Sequence, residues 1–216
     1  MRIPLTPHGA REIALFGGGA VALSVLAFLA HPAASLPFLA LALFVFSFFR
    51  DPERKPPPGA DAAVAPADGT VTDIEEVDEP HFLGSRALRI GIFLSVFDVH
   101  VNRAPLDARV RMVRYSPGRF LDARDPRCRA ENESNLVGFE GARGPFAVRQ
   151  VAGLIARRIV CPVKEGDPVA RGQRMGMIKF GSRTELLVPA GARVKVETAV
   201  GRKVRGGETV ILSYVP

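Results

Sequence analysis

The pair Gly181-Ser182, within Met175-Gly-Met-Ile-Lys-Phe-Gly-Ser-Arg183, sets a hydroxyl directly after a carbonyl whose glycine can reach strained backbone angles. A serine oxygen so placed can attack the Gly181 carbonyl and exchange the amide for an ester. Elimination and hydrolysis then cut the chain and leave a pyruvoyl group on the new N-terminus. The same dipeptide is also an ordinary turn. His100, in Asp98-Val-His-Val-Asn-Arg103, is the best proton carrier, because imidazole titrates near neutral pH. Asp68, in Pro66-Ala-Asp-Gly69, offers a carboxylate, although Asp-Gly is equally a turn signal. Arg103 and Arg183 could bind a carboxylate or phosphate, yet among 29 basic residues a solvated arginine is the ordinary case. The four histidines, His8, His31, His81 and His100, are scattered, and Cys128 and Cys161 have no metal-ligand spacing, so no metal is expected.

These groups need a scaffold, and after residue 60 the strand signals dominate. Arg89–Leu94, Ala108–Tyr115, Phe146–Val151, Arg193–Val200 and Thr209–Val215 are short, rich in β-branched or aromatic residues, and bounded by Gly, Pro or Asp. Gly153–Arg158 reads either as a helical turn or as a strand entry. Gly166-x-x-Val169-x-x-Gly172-Gln173 recurs as Gly201-x-x-Val204-x-x-Gly207-Glu208, which points to a duplicated β-hairpin unit. The expected fold is therefore mainly β, a barrel-sandwich of the lipoyl/biotinyl kind.

The start of the chain is different. Ile13–Ala30 and Ala33–Phe49 carry no charge, each is close to the ~20 residues that cross a bilayer as a helix, and His31-Pro32 separates them. A membrane hairpin over 1–50 is expected; a signal peptide or a buried core hairpin are the competing readings. Arg2 and Arg11 precede the first run, Arg50, Arg54 and Lys55 follow the second, and the connection carries no charge. Both ends should then face the cytoplasm, at the inner membrane. Pro52, Pro56, Pro57 and Pro58 stiffen a linker over 51–59, leaving a β catalytic domain over 60–216. Of the formal charge of +7, +2 lies in residues 1–55 and +5 in the remainder. A basic domain beside a bilayer is drawn to anionic headgroups. Nucleic acid is the rival partner of a basic chain, but there is no Trp, there are only two Tyr, and no binding motif is present. Two cysteines suit a reducing compartment, where both serve as core residues.

Several segments resemble, in order, the motifs of one family. They are Phe48-Phe-Arg-Asp-Pro52, Pro66-Ala-Asp-Gly69, Phe97-Asp-Val-His-Val-Asn-Arg-Ala-Pro105, Gly153-Leu-Ile-Ala-Arg-Arg-Ile-Val-Cys161 and Phe180-Gly-Ser-Arg183. Over roughly residues 40–216 the chain resembles the short, membrane-anchored phosphatidylserine decarboxylases. The resemblance implies a proenzyme cut between Gly181 and Ser182 into a β chain, 1–181, and an α chain, 182–216, which stay together as a heterodimer. It implies that Ser182 becomes the pyruvoyl group, which forms a Schiff base with the serine amine of phosphatidylserine in an anionic bilayer, so that pyridoxal phosphate is not needed. It also implies an Asp68-His100-Ser182 relay for self-cleavage. Arg103 stands where longer bacterial relatives have a second histidine, and Ser134 where the family usually has arginine. A higher homo-oligomer stays open. The alternative from another class is a membrane-anchored barrel-sandwich carrier or adaptor without catalysis; Met177-Ile-Lys179 would then be the modified lysine, but its neighbours are Ile178 and Phe180 rather than acidic or small residues.

Overall fold

The structure is a computed structural model and describes residues 4–125, 127–154, 158–179 and 182–215. It divides into two compact units, Met1–Glu53 and Arg54–Pro216.

The first unit is helical. One apolar helical stretch runs from Pro7 to Ala30 and a shorter one from Pro32 to Phe48. His31, extended at φ −159°, breaks them apart, and its ring accepts the Ala33 N–H at 3.3 Å. At 1.5 Å per residue the first covers about 36 Å, enough to cross the ~30 Å hydrocarbon layer, and the second only about 25 Å. The two ends of this unit meet: Thr6 N–H donates to the Phe49 carbonyl at 2.9 Å and Asp51 N–H to the Pro4 carbonyl at 2.7 Å. Gly9 is required there, because a Cβ would collide with the Phe49 ring. Leu15, Phe16, Leu26, Phe28, Leu36 and Leu43 all face outward, an apolar surface suited to lipid rather than water.

The second unit is mainly β. Its strands are β1 (Ala62–Val64), β2 (Gly69–Glu79), β3 (Ser85–Leu94), β4 (Val101–Arg103), β5 (Ala108–Ser116), β6 (Ser134–Gly141) and β7 (Gly144–Val151). There follow β8 (Ile159–Val160), β9 (Pro168–Val169), β10 (Arg174–Ile178), β11 (Ser182–Pro189), β12 (Val194–Val196), β13 (Lys203–Val204) and β14 (Val210–Tyr214). They form an eight-stranded sheet in the order β13-β2-β3-β11-β7-β6-β5-β9, and two three-stranded sheets, β1-β14-β12 and β4-β10-β8. All pairings between these strands are antiparallel. One core draws on all three sheets: Ile90, Ile92, Val148 and Leu186 from the large sheet, Leu212 and Met175 from the small ones.

The expected duplication is real in the backbone. Gly166 and Gly201 sit at φ 91° and 87°, and Gly172 and Gly207 at 78° and 77°, angles that favour glycine. Gly166 N–H donates to Val110 O and Gly201 N–H to Val71 O; Gly172 N–H donates to Ala104 O and Gly207 N–H to Ala65 O. The partner strands repeat as well: Ala65-Pro66-Ala67-Asp68 leads into β2 as Ala104-Pro105-Leu106-Asp107 leads into β5. Between the two copies lies the proline segment. Arg171 donates to the carbonyls of Pro57, Gly59 and Ala62, and Arg54 pairs with Asp68 and Glu208 at 2.9 and 2.7 Å. Residues 54–59 are thus held against the β unit, whose edge lies at Arg54 and not at residue 60. Of the strands expected, Arg193–Val200 shortens to β12, while β2, β6, β10 and β11 were not among the segments read as strand.

Candidate functional site

Ser182 opens β11, opposite Leu94 of β3. Its side chain is wholly buried, and its Oγ has no hydrogen-bond partner among the described residues. Leaving a buried hydroxyl unsatisfied costs about 1–3 kcal/mol. Gly181, the other half of the expected cleavage site, lies outside the described residues, as does Phe180.

His100 immediately precedes β4 and is also fully buried. Its Nδ1 stands 2.9 Å from the Asp98 carbonyl oxygen. A carbonyl only accepts, so Nδ1 carries a proton; in the neutral ring the lone pair then lies on Nε2, the form a general base needs. The Asp98 carboxylate is occupied elsewhere, accepting from Ser95 N–H at 2.8 Å and Ser95 Oγ at 2.7 Å, which braces the turn after β3.

A buried polar ladder ties the strands of these two residues together. Asn135 Nδ2 donates to Gln150 Oε1 at 3.1 Å, Gln150 Nε2 to Asn102 Oδ1 at 2.8 Å, and Asn102 Nδ2 to Thr184 Oγ1 at 3.0 Å. All four side chains are buried. Because side chains alternate along a strand, Ser182 shares a face with Thr184, and His100 stands two residues before Asn102. The His100 carbonyl also accepts the Ile178 N–H, four residues before Ser182. The fold thus brings His100 and Ser182 to the same end of the Asn102–Thr184 contact. Sequence reading passed over this ladder. Its available signal was a neutral polar residue, Gln150, inside the apolar run Phe146–Val151.

Asp68 is bound to Arg54 Nη2 at 2.9 Å and accepts the Gly206 N–H at 2.8 Å. Its counterpart in the other copy of the repeat, Asp107, accepts the Arg171 N–H at 2.7 Å in the same way. Holding the glycine turn is therefore common to both aspartates, and only Asp68 adds an arginine.

Arg103 is buried, with Nη1 on the Gly172 carbonyl at 2.9 Å and its stem packed on Gly207, at the junction of the two repeat copies. Arg183 points to the face of the large sheet opposite Ser182. It donates to Glu185 at 2.7 Å, Thr72 at 2.6 Å and Asp73 at 2.7 Å. Arg89 and Arg129 join the same carboxylates. Gly91 leaves room for the Arg183 guanidinium, which a Cβ there would strike. Burial alone would push the Asp73 carboxyl up, but attraction and hydrogen bonding from Arg183, with help from Thr72 and Arg129, hold it below its usual value. Both guanidinium groups expected to reach a substrate are committed to the protein itself.

Burial raises the Cys128 and Cys161 thiols, which keeps both in the unreactive form. Among the described residues no group of His, Cys, Asp and Glu could hold a metal ion. At the Ser182 end of the large sheet a cleft of about 370 Å³ opens between Phe93, Val96, Ala123, Arg124 and Leu154.

Comparison with known proteins fits this geometry. The family model for phosphatidylserine decarboxylase matches residues 41–212. A phosphatidylserine decarboxylase proenzyme of Nitrosomonas europaea is 44% identical over 99% of this chain and 100% of its own length. Those of Symbiobacterium thermophilum and Geotalea uraniireducens are 48% and 45% identical, over 98% and 96% of this chain and 96% and 95% of their own. The carrier or adaptor alternative finds no support in these relatives. With the match running from within the second apolar helical stretch into β14, and the buried serine and histidine inside it, the chain belongs to the phosphatidylserine decarboxylase family.

Proposed function

We propose that this protein is made as a proenzyme, cuts itself between Gly181 and Ser182, and then decarboxylates phosphatidylserine to phosphatidylethanolamine and CO2. The observation that carries the reading is the buried, unsatisfied Oγ of Ser182 at the start of a central strand, with His100 brought to the same end. In the first step Oγ attacks the Gly181 carbonyl as His100 Nε2 takes its proton, and the amide becomes an ester. Loss of the α-proton of residue 182 expels the Gly181 carboxylate. Water then releases ammonia and leaves the pyruvoyl group, whose carbonyl supplies the electron sink that decarboxylation requires. The buried site keeps bulk water out, and His100 returns a proton to the substrate carbon once CO2 has left. Arg103 and Arg183 act here as positioning residues, fixing β4 and β11, rather than as ligands of the headgroup.

The α and β chains stay paired as a heterodimer. The apolar helices hold the protein at the inner membrane, and the arginines flanking them set both ends, with the β unit, on the cytoplasmic side. Denaturing mass spectrometry of the active protein should show Met1–Gly181 and a blocked Ser182–Pro216. A single active species of 23.2 kDa would overturn the proposal.

Asp68 has a built-in control in Asp107. Asparagine at either position keeps the oxygen that holds the glycine turn. If Asp68 also supports His100 in self-cleavage, Asp68→Asn should slow processing at least tenfold while Asp107→Asn processes normally. Equal processing in the two variants would reduce Asp68 to a turn residue.

A further inference from the structure

Asp68 and Asp107 hold their glycine turns alike, but the charges around them differ. Arg54 lies between two carboxylates, Nη2 donating to Asp68 at 2.9 Å and Nη1 to Glu208 at 2.7 Å. In the other copy of the repeat Asp107 accepts the Arg171 N–H, while the Arg171 guanidinium goes to backbone carbonyls, and Gln173 stands where Glu208 does. The turn itself therefore does not call for a guanidinium on its aspartate. The difference falls where the Asp68 segment meets that of His100. Arg103 N–H, three residues after His100, donates to the carbonyl of Pro66, two residues before Asp68. Lys203, which pairs with Thr70 two residues after Asp68, reaches to 3.7 Å from Asp98, two residues before His100. These contacts bracket Asp68 and His100 from both sides, so the two stretches run past each other in opposite directions. Asp68 Oδ1 accepts the Gly206 N–H at 2.8 Å and Oδ2 accepts from Arg54, which leaves each oxygen a further lone pair to offer. The Arg54 and Asp68 side chains are only 10% and 14% exposed, so solvent screens the pair little.

We propose that Arg54 is a positioning residue for self-cleavage, fixing the Asp68 carboxylate against the segment that carries His100. The inference rests on the reading above in which Asp68 supports His100. A carboxylate held by one backbone N–H can still turn about its side-chain bonds; a second, charged donor on the other oxygen sets its plane. The proline segment that carries Arg54 has its own seat, with Arg171 donating to the carbonyls of Pro57, Gly59 and Ala62 and Pro56 against Gly172, where a Cβ would strike its ring. Arg54 thus presents its charge to Asp68 from a fixed base.

A double-mutant cycle in the full-length chain tests this, with the rate of self-cleavage followed by intact mass after cell-free synthesis. Arg54→Met should slow cutting at least tenfold in the parent, and less than twofold further once Asp68 is asparagine. Glu208→Gln, which gives this copy the residue of the other, should change the rate less than threefold. Normal cutting by Arg54→Met would overturn the proposal. So would losses that multiply in the double variant, because a residue that merely fastens the proline segment acts whether or not position 68 is charged. A loss in Glu208→Gln as large as that in Arg54→Met would likewise reduce Arg54 to a fastener. Should Arg54→Met fail to fold, Arg54→Gln, which keeps the stem and an amide donor, takes its place in the same cycle. Asp68→Asn that cuts at the parent rate would remove the reading of Asp68 and this proposal with it, whereas slow Asp68→Asn with multiplying losses would remove this proposal alone.

Discussion

Replacing Ser182 with alanine will yield one uncut chain of 23.2 kDa with no decarboxylase activity above the uncatalysed rate. Alanine has no oxygen to attack Gly181, and without the cut residue 182 cannot become a carbonyl. The loss is chemical and not structural. Oγ makes no hydrogen bond among the described residues, so its removal relieves a desolvation cost of about 1–3 kcal/mol and opens a void worth about 1 kcal/mol. The variant should therefore fold, with a melting curve no weaker than that of any other uncut precursor. Intact mass, turnover and a thermal melt check the three parts. Residual cutting would place the nucleophile elsewhere, and a collapse in stability would mean that Oγ holds a contact.

Arg183→Met is the largest stability change expected. Arg183 is 2% exposed and lies between Glu185, at 1%, and Asp73, at 12%. Removing one partner of a buried ion pair strands the others, at a cost of about 3–5 kcal/mol. The pH dependence has a sign. In the native protein Asp73 lies below its ordinary 3.8, so its contribution is present above that value and lost as pH falls through the depressed one. Without Arg183, burial governs Asp73 and raises it, so its contribution is instead lost as pH rises. The variant's deficit should then be widest near neutral pH and narrow toward pH ~4, as urea melts across that range can read. A deficit that is flat with pH, or below about 1 kcal/mol, would show that Arg89 and Arg129 suffice for the carboxylates.

The glycine repeat was legible because its angles demand glycine, whereas Ser182 and His100 stand in the sequence as candidates, each in a short motif whose chemistry can be argued residue by residue. The strand that carries Ser182 was not legible. Ser182–Pro189 reads Ser-Arg-Thr-Glu-Leu-Leu-Val-Pro, with charges on one face where alternation predicts solvent. It is a central strand covered on both sides, and those charges neutralise each other with help from Asp73 and Arg89, far away in sequence. β2 was hidden likewise, since Thr-Asp-Ile-Glu-Glu-Val-Asp-Glu resembles a solvated segment until Arg89, Arg129 and Arg183 arrive. For Arg103 and Arg183 the sequence leaves an anion ligand and an ordinary arginine both open, because it cannot tell an arginine aimed at a substrate from one aimed at a neighbouring carbonyl or carboxylate.

The proposed cut between Gly181 and Ser182 would limit what the mature protein can undo. β11 is inserted between β3 and β7, while β12, β13 and β14 of the same small piece reach into both other edges of the fold. A precursor closes these contacts within a single chain. The cut product would keep them but lose the connection, so reassembly from the unfolded state would become a second-order encounter between two polypeptides, one of them missing the middle of its sheet. Maturation would then be a ratchet. The active form would be a nicked complex whose lifetime is set by how slowly it opens, and each molecule would assemble through the uncut chain only once.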